Sequence, residues 1–306
     1  MAANYLSIIV FALAILAGYV PVARAEEDSA NESALELMAA LPAEPVRAPW
    51  DASLDGTWLP RSSSADAGGK VGISELKLKL GRSYQINTRL GLTPEFSYSR
   101  LHLDAPGAAR LPEELHTVSL GLKGDYRLSP KFSLSALVAP ALSGDFRRIG
   151  GSDIRARFGF SGRYNSSEKL TLLAGLIYQQ GYRSLPVFPI IGAIYRPDDN
   201  WIFSLAAPRP GVTYLPGNGA RLYAGGEMFD GEFQLHEPAL GARVIRYRDF
   251  RVVAGAQFPI VGSLKGDFAA GYAFSRRFVF YDLESDRRDI KVDSGPFFRA
   301  GLKAEW

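Results

Sequence analysis

From about residue 70 to Trp306, apolar and polar side chains in this chain alternate with a period of two. In the stretch Ser74 to Leu80, Leu76, Leu78 and Leu80 fall on one side and Glu75, Lys77 and Lys79 on the other. Leu90, Leu92, Phe96 and Tyr98 oppose Glu95, Ser97 and Ser99. Ile154, Ala156, Phe158, Phe160 and Tyr164 oppose Arg155, Arg157, Ser161 and Arg163. Leu170, Leu172, Ala174, Leu176 and Tyr178 oppose Thr171, Leu173, Gly175 and Gln179. This is the spacing of a β-strand, whose neighbouring side chains point to opposite faces. The pattern predicts an all-β chain. It serves two architectures equally: a soluble sandwich that buries the apolar face, and a membrane barrel that turns it to lipid.

The connections separate the two. Short polar turns are expected at Gly81–Ser83, Leu128–Lys131, Asn165–Glu168, Pro197–Asn200, Pro216–Gly219, Arg248-Asp249 and Ser275–Arg277. Longer loops fall between them, over Pro60–Lys70, Leu103–Glu114, Ser143–Gly151, Asp230–Pro238 and Asp282–Ser294. Short turns at one end and long loops at the other are the habit of outer-membrane barrels, and a sandwich has no reason to keep that parity. Trp201–Tyr214 must double back at Pro208-Arg209-Pro210 to preserve it. Its two arms are too short to span, since a spanning strand needs roughly 9–11 residues. We therefore read it as an irregular hairpin or a bent strand.

The N-terminus is read as an address. Leu6 to Val20 is apolar, Pro21 ends the run, and Ala23-Arg24-Ala25 forms a small-residue cleavage site before Glu26. Residues 1–25 are thus expected to be a signal peptide. Residues 26–50 are expected to be a flexible periplasmic segment, with a short amphipathic helix possible over Ser33–Leu41. Residues 51–306 form the barrel. No later apolar run is long enough for a spanning helix. Membrane entry therefore requires a closed barrel, the other structure that satisfies its backbone in lipid. The expected fold is a single transmembrane antiparallel up-and-down β-barrel of about 12–16 strands, with short periplasmic turns and longer extracellular loops.

The last strand places Phe298, Ala300, Leu302, Ala304 and Trp306 on one face, opposite Arg299, Lys303 and Glu305. Such a strand, closing on an aromatic, resembles the signal by which outer-membrane barrels are handed to the bacterial barrel-assembly machinery. The segments LPVFPIIGAIYRPDDNWIFSLAAPRP (Leu185–Pro210) and GYAFSRRF (Gly271–Phe278), with the terminal strand, resemble a family of bacterial outer-membrane β-barrels catalogued only as a domain of unknown function. The likeness covers the C-terminal half best. It implies fold and place, and no mechanism.

Candidate chemistry is sparse. Cysteine is absent, which removes disulfides, thiolate metal sites and thiol catalysis. Lys and Arg number 35 against 32 Asp and Glu, a balance that argues against a nucleic-acid partner. The histidines are His102, His116 and His236. His102 and His116 flank a long loop, so they are the bases a lipid-modifying enzyme at the barrel rim would use, with Ser97, Ser99 or Ser119 as nucleophile. No ordered triad motif accompanies them, and no enzyme, cofactor or metal is expected. Asp198-Asp199 reads as turn chemistry. The polar face is richer. Lys77, Lys79, Lys123, Arg155, Arg157, Arg163, Arg299 and Lys303 are expected to line the lumen, with Glu75, Glu95, Asp125 and Glu305 among them. Basic rings favour anions in pores; alternatively the charges pair and fill a narrow lumen. Tyr126, Tyr164, Tyr195, Trp201, Phe278, Tyr281 and Trp306 are expected in interfacial girdles. The leading expectation is an outer-membrane channel or transporter for small polar or anionic solutes, or a structural barrel. The alternatives are the rim enzyme and a soluble periplasmic ligand-binding β-protein.

Overall fold

A computed structural model describes residues 49–183, 187–206, 209–281 and 288–306. The expected signal peptide and nearly all of the leader lie outside these residues. Sixteen strands follow one another: β1 Trp50–Ser64, β2 Gly69–Arg82, β3 Tyr84–Gln85, β4 Leu90–Asp104, β5 Glu114–Arg127, β6 Phe132–Gly144, β7 Ile154–Asn165, β8 Leu170–Gln180, β9 Val187–Tyr195, β10 Trp201–Ser204, β11 Gly211–Tyr214, β12 Arg221–Gln234, β13 Val244–Val261, β14 Leu264–Tyr281, β15 Arg288–Val292 and β16 Gly295–Glu305. Each pairs antiparallel with its neighbour. β1 pairs with β16, and β13 with β14, so the sheet returns on itself. With β3 and β15 off the main ring, the result is a closed barrel of 14 strands.

The outer surface follows from the alternation. Leu76, Leu78, Leu80, Phe96, Leu122, Phe158, Phe160, Leu172, Leu176, Phe268 and Leu302 are all exposed, while the residues between them turn inward. An exposed apolar belt around a closed sheet is the surface of a transmembrane barrel. At the turn end an aromatic girdle gathers Trp50, Tyr84, Tyr126, Tyr164, Tyr195, Trp201 and Trp306, all except Trp50 strongly exposed. The Arg82 guanidinium lies 4.8 Å from the ring centres of both Trp50 and Tyr84.

Several connections differ from expectation. Arg248-Asp249 and Ser275–Arg277 are not turns; they face one another in the middle of β13 and β14. Arg248 pairs with Arg277 and Phe250 with Phe274, so Ser275 and Arg276 together oppose Asp249. This is a β-bulge, and Ser275 takes φ +54°. It reverses the parity of β14: Ala273 points inward below it, Phe278 and Phe280 above it. Phe278 is therefore a core residue, not part of a girdle. The turn that joins these strands is Gly262-Ser263, where Gly262 at φ +55° suits a two-residue hairpin loop. Pro60–Lys70 is not a long loop either, since β1 and β2 run through it to a turn at 65–68. A second irregularity, between Leu59 and Ser62, shifts the register there. The hairpin Trp201–Tyr214 is irregular as expected, with two strands of four residues each.

The loop end is built differently from the turn end. There β12 reaches across to β6. Gln234 pairs in parallel with Gly144, the Asp145 N–H donates to the Gln234 carbonyl at 3.0 Å, and the Ser143 hydroxyl donates to the Glu232 carbonyl at 2.9 Å. The strands β7 to β11 lie outside this contact. A smaller ring thus sits on the fourteen-strand ring. Its interior is filled by one apolar cluster including Leu59, Ile73, Leu101, Leu115, Phe233, Ile245, Tyr247, Phe278, Phe280 and Phe297. Rings of roughly eight strands have an interior that side chains can fill, whereas wider ones leave a lumen.

Candidate functional site

The wide part of the barrel holds the polar face read from the sequence. Lys77, Lys79, Lys123, Arg155, Arg157, Arg163, Arg299 and Lys303 all lie opposite the exposed apolar rows, turned to the interior. The structure does not gather them into one ring. Lys77, Lys79 and Arg157 meet around a void of about 30 Å³, which also touches Glu95, Ser97, Ser99, Thr117 and Ser119. The other basic residues are distributed among local partners. Lys123 is 3.4 Å from Asp125 and Lys303 2.7 Å from Glu305. Arg299 donates to Glu227 at 3.0 Å. Arg155 faces Glu232 at 3.7 Å, both side chains almost wholly buried. Arg163 sits in β7 opposite Leu173 of β8, one turn of the pleat above the turn end.

Around the void the charges are unequal. Lys79 is 3.5 Å from Glu95, and Lys77 lies 5.1 Å from the centre of the Phe229 ring. Three cations and one carboxylate therefore share a space edged by four hydroxyls. Hydroxyls donate to anions as readily as they accept. A void of this size takes a water or a small ion, not a large solute.

Between the void and the apolar plug lies a buried charge network that the sequence reading missed. Arg251 bonds Glu75 of β2 and, at 2.7 and 2.8 Å, the Asp249 carboxylate. The Tyr247 hydroxyl donates to Asp249 at 2.6 Å. Arg251 also stacks between Phe229 and Phe297, 5.4 and 5.3 Å from their centres. Only Glu75 of this set was among the expected lumen residues. The sequence puts Asp249 in a short polar turn, and the signal for a strand there is the alternation that continues on either side of it.

The histidines and serines do not form a nucleophilic site. Ser97, Ser99 and Ser119 edge the interior void. His102 and His116 stand on the opposite face of the same two strands. His116 Nδ1 is 3.0 Å from the Tyr98 hydroxyl, its ring stacks on Phe146, and Glu114 lies 3.4 Å away. The sheet itself keeps these imidazoles from these hydroxyls. His236 clasps two loops: its backbone N–H donates to Asp145 at 2.8 Å and its Nε2 is 3.0 Å from Asp153. Among the described residues no group of three or more His, Cys, Asp or Glu could hold a metal ion.

The terminal strand carries Phe298, Ala300, Leu302, Ala304 and Trp306 on its outer face. Phe298 stacks on Trp58 at 6.0 Å, and Trp306 on Trp50 at 6.3 Å. The backbones of Trp50 and Trp306 exchange two hydrogen bonds, of 2.8 and 3.0 Å, so the first and last strands close the barrel at the turn end.

Among solved structures, the chain is similar to the COG4313 outer membrane channel from Pseudomonas putida F1, at 16% identity over 86% of this chain and 97% of that one, with a TM-score of 0.49. It is similar to a Pseudomonas aeruginosa FadL homologue at 11% identity, over 84% and 90% of the two chains, with a TM-score of 0.46. It is also similar to a deletion mutant of the TodX monoaromatic hydrocarbon channel, at 10% identity over 90% and 94%, with a TM-score of 0.49. Among curated proteins nothing matches. A family model matches residues 63–304, nearly the whole barrel, and the chain belongs to that family, DUF6268, a domain of unknown function.

Proposed function

We propose that the protein is an outer-membrane barrel whose basic lumen admits small anionic solutes, acting as a narrow channel that is shut at its outer end in the state described. The placement is supported by the exposed apolar belt, the aromatic girdle at the turn end, and the apolar run at residues 6–20, read as an export signal. On this reading the turn end faces the periplasm. The terminal strand, with Trp306 outermost, serves as the handle for the barrel-assembly machinery.

The observation that carries the solute class is the void between Lys77, Lys79 and Arg157. Three cationic side chains and the one carboxylate of Glu95 line it, and a basic lining favours anions in pores. A small anion that enters meets these cations, with the Ser97, Ser99 and Thr117 hydroxyls beside them. The apolar cluster between this void and the loop end makes the resting lumen blind.

The test is single-channel conductance of the refolded mature chain in a planar bilayer, with a salt gradient to read selectivity. Discrete steps with anion preference support the channel. A correctly inserted barrel that stays silent across the voltage range overturns it and leaves a structural role.

A further inference from the structure

The outer end of the barrel is shut by two kinds of contact. Towards the loop end, the next inward residue after Thr117 on β5 is Leu115, and after Ser99 on β4 it is Leu101. Both belong to the apolar cluster. After Ala141 on β6 the next inward residue is Ser143, and there the closure is polar. Thr117, which lines the void, shares a hydrogen bond of 3.0 Å with the Ser143 hydroxyl, and Ser143 donates in turn to the Glu232 carbonyl at 2.9 Å.

Above these hydroxyls, among the described residues, β6 and β12 meet at a single ladder position, Gln234–Gly144. His236 holds this short seam together. Its backbone N–H donates to the Asp145 carboxylate, and its Nε2 lies 3.0 Å from both oxygens of Asp153, which is wholly buried. The Gly150 N–H also donates to Asp153, at 2.7 Å. A Cβ at Gly144 would stand 2.7 Å from Asp153 and 2.8 Å from the Gln234 carbonyl, so the two segments close directly on a glycine. At the surface, Arg147 and Glu237 pair at 2.9 Å across the same seam. A polar column of Thr117, Ser143, Asp145, His236 and Asp153 thus runs from the void towards the outside, beside the apolar cluster. The two closures differ in what it costs to part them. Separating the apolar cluster exposes its side chains to water, at a cost that grows with their area. Separating the polar column exchanges protein hydrogen bonds for bonds to water, and the net cost of each is small.

We propose that the seam between β6 and β12 is the gate of the channel. Ser143 and His236 latch it shut, and their release opens a wet path from the void to the loop end while the apolar cluster stays packed. The proposal rests on the channel reading above and names the part of it that moves.

The test is the open probability of the refolded mature chain in a planar bilayer bathed in potassium chloride. Ser143→Ala with His236→Ala is expected to raise it about tenfold, or 1.4 kcal/mol in the closed–open equilibrium. Ile290→Ala loosens the apolar cluster on β15, away from the seam, and is expected to leave it unchanged. The chain has no cysteine, so engineered thiols are unique. Arg147→Cys with Glu237→Cys replaces an exposed pair, which contributes little to stability, and leaves the latch intact. Bridged by a short bismaleimide, this variant is expected to lose its openings; capped with N-ethylmaleimide, it is expected to keep them. Heat-modifiable migration on gels verifies that each variant is folded. Openings that persist in the bridged protein overturn the gate, and so does an unchanged open probability in Ser143→Ala with His236→Ala. Equal opening of Ile290→Ala and the latch variant would make the apolar cluster the gate and reject the seam. Folded barrels that stay silent in wild type and latch variant alike sink the channel itself, whereas conduction that ignores the bridge sinks the gate alone.

Discussion

Arg155 on the inner face of β7 lies 3.7 Å from Glu232, which stands on the β12 face turned away from the apolar plug. The pair joins the wall strands that are left out of the small ring to the ring itself. Glu232 also accepts the backbone N–H of Arg183 at 3.0 Å. Beside it, Arg246 and Asp230 form a second buried pair at 2.9 Å. Removing one partner of a buried pair leaves the other charge uncompensated, at a cost of about 3–5 kcal/mol. Glu232→Ala is therefore expected to lower the urea midpoint of the lipid-embedded barrel strongly. Glu232→Gln should cost less, because an amide oxygen still accepts from Arg183. Equal midpoints for wild type and Glu232→Ala would show that the pair does not hold the wall to the ring.

Arg251, Glu75 and Asp249 separate the apolar plug from the polar lumen. Arg251→Met should destabilise by about 3–5 kcal/mol, since it strands two carboxylates away from water. Replacing Glu75 by Leu in the same protein should recover part of the loss. The check is the temperature at which the folded, fast-migrating band disappears on gels. No recovery in the double variant would mean that Asp249 alone sets the cost.

Charge around the void should set ion preference in both directions. Lys77→Gln, Lys79→Gln and Arg157→Gln are each expected to shift the reversal potential towards cations, by adding to the weight of Glu95. Glu95→Gln should shift it the other way. A reversal potential that moves in the same direction for both kinds of variant would reject the void as the selective site.

The Trp50–Trp306 closure yields a prediction about assembly rather than stability. Deleting Trp306 removes one ring from a stacked pair and two backbone hydrogen bonds at the end of the last strand. Each such bond contributes only about 0.5–1.5 kcal/mol, so the refolded barrel should survive in detergent. Insertion in cells, measured by the appearance of the heat-modifiable band over time, should slow markedly. Normal insertion kinetics would remove the role of the terminal aromatic as an assembly handle.

His116→Ala should cost about 0.5–1.5 kcal/mol through the lost contact with the Tyr98 hydroxyl. It should leave any lipid hydrolysis by the purified protein unchanged, because Ser97, Ser99 and Ser119 lie on the other face of the sheet. A hydrolytic activity that disappears with His116 would reopen the rim-enzyme alternative.

Leu76, Leu78 and Leu80 against Glu75, Lys77 and Lys79 show what sequence alone determines here. Side-chain direction in a strand is local, so period-two alternation assigns each residue to a face without knowledge of its neighbours. Turn–loop parity then closes the sheet into a barrel. Asp249, Ser275 and Phe278 show where that logic stops. A bulge changes parity by one residue, and whether a polar run is a bulge or a turn depends on which strand lies opposite. The contact of Gln234 with Gly144, the plug inside the small ring and the two-residue pairing of β9 with β10 are likewise invisible to local pattern. They arise from which distant strands meet, and a period of two is identical for a residue that faces a lumen, a plug or a second sheet face. Sequence therefore decided the wall of this protein. Its interior, filled by an apolar cluster at one end, was decided by long-range pairing.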